Sequence, residues 1–148
     1  MGAWLAWPFA LFAGALITVQ AGANAALKKS FGEAMPALLV NYLLGLAAVA
    51  GYILATRVSW PAAARMAQAP WWAWTGGLAG AVYGVAAILL ANRLGAATLM
   101  ALVVTGQLVC SVLVDHYGWI GFETHVAGWG RILGCGLMIA GFALIARF

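Results

Sequence analysis

The stretch 94–114, LGAATLMALVVTGQLVCSVLV, runs for 21 residues without a charge between Arg93 and Asp115. A helix needs about 20 apolar residues to cross a hydrocarbon core about 30 Å thick. This run therefore reads as a membrane-crossing helix. Outward from it, residues 1–27, 34–56, 66–92 and 132–146 are equally free of charge, in runs of 27, 23, 27 and 15. The last is long enough only if Gly128–Gly130 join it and Arg131 and Arg147 extend their heads to the two interfaces. The pattern predicts five transmembrane helices near 4–27, 35–55, 71–92, 96–115 and 128–147. The fold class is all-α: a polytopic membrane helical bundle, read as one transmembrane domain over 1–148.

Composition agrees. The 148 residues are 66% hydrophobic and 7% charged, with a mean hydropathy of +1.02. A soluble domain carries about 25% charged residues, so this chain lacks the charge to cover a water-facing surface. A soluble enzyme and a disordered tail are excluded on that ground. The net charge of +4 comes from scattered cations rather than a cluster, so no nucleic-acid partner is expected. A β-barrel would show alternating ten-residue segments, which are absent from this sequence. The first run has no Lys or Arg ahead of its apolar core and exceeds the length of a leader's apolar region, so it reads as helix one. Pro8, Pro36 and Pro70 fall at helix starts, where a missing N–H costs nothing. Pro61 opens a connection that predicts a short interfacial helix through Arg65 and Met66. Trp4, Trp7, Trp60, Trp71, Trp72, Trp74, Trp119 and Trp129 all fall near span ends, as an aromatic belt does. Cys110 and Cys135 lie inside helices four and five and read as small hydrophobes.

Five spans divide the cations almost evenly. Arg57, Arg65 and Arg131 fall on one side; Lys28, Lys29, Arg93 and Arg147 fall on the other. Orientation follows an excess of Lys and Arg on the cytoplasmic side, and that excess is one. Two arrangements remain open: a fixed orientation with the N-terminus outside, or dual topology giving an antiparallel homodimer. In the second, the chain is half of a ten-helix inverted-repeat transporter, whose equivalent halves exchange conformations.

The run Gln20–Leu27, QAGANAAL, resembles the first-helix signature of the YdcZ-like inner-membrane exporters. Gly76–Ala81, GGLAGA, is similar to that family's glycine-rich third helix. Gly106–Gln107–Leu108, then Asp115–Trp119, are similar to its fourth helix and exit loop, and Arg131 with the glycines after it completes the pattern. The likeness spans nearly the whole chain and places it in the drug/metabolite transporter superfamily. It implies a five-helix bundle in a bacterial inner membrane, pairing with itself or a homologue, and small-solute transport. Small multidrug exporters of that superfamily couple to protons through a glutamate in helix one. Helix one here offers only Thr18, Gln20 and Asn24, which puts that coupling in doubt.

Residues four apart share a helix face. Gln20, Asn24 and Lys28 form one stripe; Gln107, Ser111 and Asp115 form another. Amides cannot be left unbonded in lipid, so they should face the interior or a wet cavity. Gln20, Asn24, Asn41, Tyr83, Gln107 and Ser111 are the candidate solute-binding residues, against the alternative that each merely bonds a neighbouring helix. Asp115 and Arg131 are candidates for an interfacial ion pair or gate; in an antiparallel pair, Lys28 would share a side with the other copy's Asp115. Gly76, Gly80 and Gly84, and Gly130 with Gly134, are small-residue steps suited to close helix packing. His116, Glu123 and His125 do not match the spacing of a closed zinc set, and no metal or cofactor is expected. No Ser–His–acid set or phosphate loop is visible, so the chain does not read as an enzyme. A solute transporter by alternating access is the leading reading; a dual-topology ion channel and a non-transporting scaffold or accessory subunit are the alternatives.

Overall fold

The computed structural model describes residues 3–148, which are 86% helical with no strand among them. Helix α1 runs Ala3–Phe31 and α2 runs Ala34–Thr56. After the short α3, Ala63–Ala67, a 3₁₀ turn at Trp71–Thr75 leads into α4, Gly76–Leu94. Helix α5 spans Ala96–Tyr117, a second 3₁₀ turn occupies Trp119–Gly121, and α6 spans Trp129–Arg147. Five segments are long and apolar enough to cross a membrane: Trp4–Phe31, Ala34–Thr56, Trp71–Leu94, Ala96–Tyr117 and Trp129–Arg147. The spans expected from charge spacing are thus present, with ends moved by at most four residues. The largest move is at the end of α1, where Lys28 and Lys29 continue the helix. Their charged heads favour a helix C-terminus, and their apolar stems tolerate the interface. The short helix expected after Pro61 is α3.

Each helix stops for a local reason. Gly32, at φ 81°, donates its N–H to the Lys28 carbonyl at 2.9 Å and turns the chain out of α1. Helix α2 ends on Arg57, left-handed at φ 53°, whose N–H caps the Ile53 carbonyl. Helix α5 ends on Gly118, also left-handed, whose N–H reaches back to Asp115 and Val114 carbonyls. Pro36 lies in the first turn of α2 and Pro70 precedes the 3₁₀ turn, whereas Pro8 lies one turn farther inside α1 than a start position. At that position it has no N–H to donate to the Trp4 carbonyl four residues back.

The chain divides into two compact units, Met1–Leu89 and Leu90–Phe148. In the N-terminal unit α1 packs on α2, and Ala34 and Leu38 of α2 meet Val85 and Ile88 of α4. In the C-terminal unit α5 packs on α6. Few side chains are buried: no span window exceeds 17% buried, and Leu11, Leu44, Leu78, Leu137 and their like stand exposed. For a helix with lipid as its solvent these faces are satisfied, and packing relies on close backbone contact and hydrogen bonds instead.

Candidate solute-binding site

Three helices of the N-terminal unit enclose a hollow of about 120 Å³. Helix α1 contributes Ile17, Gln20, Ala21 and Asn24; α2 contributes Leu38 and Tyr42; α4 contributes Gly80, Tyr83, Gly84 and Ala87. The one-face spacing of Gln20 and Asn24 brings both amides to the same hollow. Asn24 is 4% exposed, and its Oδ1 has no hydrogen-bond partner. An unpaired buried acceptor costs about 1–3 kcal/mol. Tyr42 donates its hydroxyl hydrogen to the Gly80 carbonyl at 2.6 Å, so its oxygen can meet the hollow only as an acceptor. No charged residue lines this hollow.

Gly84 is what lets the helices close around it. A Cβ there would lie 2.6 Å from Leu38 Cδ1 and 2.8 Å from the Tyr42 hydroxyl, both impossible without movement. At Gly80 the nearest atom would be the Tyr42 hydroxyl at 3.9 Å, an ordinary contact, while Gly76, Gly130 and Gly134 face open space within the chain. Of the five glycines singled out for packing, Gly84 is the position where this protomer needs the missing side chain.

Gln20, Asn24 and Tyr83 thus share one hollow; Asn41 is half-buried on α2 and does not line it. Lys28, one turn beyond Asn24, is half-buried and forms no ion pair among the described residues. Tyr42 and Leu38 also line the hollow, although the nearly uniform apolar pattern of α2 gives no signal for them.

The C-terminal unit holds the other candidates. Gln107 and Ser111 line a groove of about 440 Å³ with Cys110, Asp115, Ile120 and Phe122. An adjoining hollow of about 330 Å³ is lined by Ser111, Asp115, Arg131, Gly134 and Cys135 among others. Both thiols are free. Arg131 Nη1 donates to Asp115 Oδ2 at 3.0 Å and to the His125 carbonyl at 3.3 Å. The loop between α5 and α6 is laced around this pair. His125 N–H donates to the Asp115 carbonyl at 2.8 Å, and Ala127 N–H donates to His116 Nδ1 at 3.0 Å. Tyr117 and Trp119 stack with centroids 4.8 Å apart. Ile120 sits left-handed at φ 49°, an unfavourable region for a β-branched residue. Among the described residues, no three of His, Cys, Asp and Glu gather as a metal-holding group.

The arrangement is that of a membrane bundle whose polar side chains line hollows. Comparison with known proteins adds one positive finding. No curated protein and no solved structure matches the chain. The family described as "Putative inner membrane exporter, YdcZ" matches residues 5–144. With that match over almost its full length and five spans to anchor it, the chain belongs to this exporter family and is a multi-pass inner-membrane transport protein.

Proposed function

We propose that this protein moves a small solute across the membrane by alternating access, as an antiparallel pair of identical chains with opposite orientations. The observation that carries the solute reading is Asn24 Oδ1: a buried acceptor, unpaired, at the wall of a hollow between three spanning helices. A group that only braced neighbouring helices would be bonded to one of them. The pairing rests on two further features. The cations favour one side by a single residue, so neither orientation is strongly disfavoured. The Gln107–Ser111 stripe is exposed within one chain, and lipid is a poor neighbour for an amide.

The test combines orientation and flux. A single cysteine placed in the 56–70 connection, after removal of Cys110 and Cys135, is labelled from each face of intact cells. Equal labelling is expected; one-sided labelling removes the antiparallel pair. Purified protein in liposomes loaded with a mixture of small metabolites should then release particular solutes, read by mass spectrometry. Saturable release with counterflow supports a carrier. Release without saturation would indicate a channel. No release above that of protein-free liposomes would leave the protein a scaffold and sink the transport reading.

A further inference from the structure

The donor and acceptor inventory of the hollow in the N-terminal unit restricts what it can receive. We infer that this hollow binds an uncharged, ring-sized group carrying a hydrogen-bond donor, an O–H or N–H directed at Asn24 Oδ1. The inference rests on the transport reading for its physiological sense, but it concerns binding alone.

Three observations lead there. First, the polarity: Asn24 Oδ1 is an acceptor without a partner, and Tyr42 has already committed its only hydrogen to the Gly80 carbonyl. Gln20 and Tyr83 bring donors of their own to the hollow, so a ligand acceptor can be met there as well, but only a ligand donor completes the bond that Asn24 Oδ1 lacks. Second, the charge: no Asp, Glu, Lys or Arg lines the hollow. A cation taken there would lose its hydration with no carboxylate to meet it, and an anion would lose its own with no cation to pair with. The charged residue nearest along α1 is Lys28, a turn past Asn24, which further disfavours a cation. Third, the size: about 120 Å³ is close to an engineered apolar cavity of about 150 Å³ that admits benzene. Leu38, Ala87 and the ring of Tyr83 supply apolar walls for such a group. An uncharged substrate carries no charge to couple to the membrane potential. Movement would then follow the solute gradient, with no need for the membrane-embedded acid that helix α1 lacks.

Matched probes test this on the full chain in lipid nanodiscs. Phenol and fluorobenzene are similar in size and differ in the donor; benzylammonium and benzoate add either charge. Calorimetric titration should give phenol about tenfold tighter binding than fluorobenzene, the difference expected of one hydrogen bond to a desolvated acceptor. Both charged probes should bind more weakly than phenol. In Asn24→Leu the phenol preference should shrink to that of protein-free nanodiscs. Equal binding of phenol and fluorobenzene overturns the inference, meaning that water satisfies the oxygen. Preference for benzylammonium or benzoate overturns it too, as does binding of no probe. The comparison of phenol with fluorobenzene uses unaltered protein, so misfolding of the variant cannot obscure it. Liposome release measured alongside separates the two claims. Release with no donor preference keeps transport and discards the donor rule; donor preference without release does the reverse.

Discussion

The two compact units treat the same kind of residue differently. In the N-terminal unit, Asn24 is buried beside a hollow lined by three helices, its oxygen without a partner, and the more exposed Gln20 and Tyr42 reach the same hollow. In the C-terminal unit, Gln107 and Ser111 lie exposed along α5, and the ordered polar contacts are at the helix end, where Asp115, Arg131 and the 118–128 loop hold one another. One unit uses polarity to shape an interior. The other uses it to fasten a turn, and its Gln107 amide makes no hydrogen bond within that unit among the described residues. A side chain's role in this protein therefore depends on whether three helices or two surround it, more than on its identity.

That contrast can be broken most forcefully at Gly84. Gly84→Leu should drive Leu38 and the Tyr42 hydroxyl apart, destabilise the N-terminal unit by about 3 kcal/mol or more, and abolish a folded peak in detergent size-exclusion chromatography. Gly134→Leu, whose Cβ would meet nothing within 4 Å and whose side chain has a hollow beside α5 to enter, should leave that peak in place. Next in size is Gly118→Val, which forces a β-branched residue to φ 63° with its Cβ 2.5 Å from Thr124 Oγ1. A loss of about 1–3 kcal/mol is expected, seen as a lower melting temperature. Asn24→Leu should move stability the opposite way, upward by about 1 kcal/mol, since it removes an unpaired buried acceptor, while solute release falls to background. A stability loss with unchanged release would mean that Asn24 is a structural group. The smallest effect belongs to Asp115→Asn. Its ion pair is 30–40% exposed, so melting should fall by no more than the equivalent of about 1 kcal/mol, with proteolysis of the 118–128 loop as the more sensitive readout.

Charge spacing was enough to find the spans, because ten charged residues in 148 leave few places for a helix to end. The Gln20–Asn24 face was also readable, since i, i+4 geometry is intrinsic to a helix. What could not be read was which way each helix turns. Helix α2 is apolar nearly all round, so nothing in its pattern distinguishes Asn41 from Tyr42, although a step of one residue rotates the side chain by about 100°. The structure turns Tyr42 toward Gly80 and leaves Asn41 outside the hollow. The same uncertainty of rotation made Gly76, Gly80 and Gly84 look equivalent, when close approach falls at Gly84. Left-handed Ile120 could not be anticipated, because no propensity places a β-branched residue there.

The link between α1 and α2 is only two residues, Gly32 and Glu33, and it is pinned by the Gly32 N–H on the Lys28 carbonyl. So short a link cannot let one helix enter the bilayer while the other waits outside. The two helices therefore cross as a hairpin, and whichever way its bend at Gly32 and Glu33 points sets the direction of both at once.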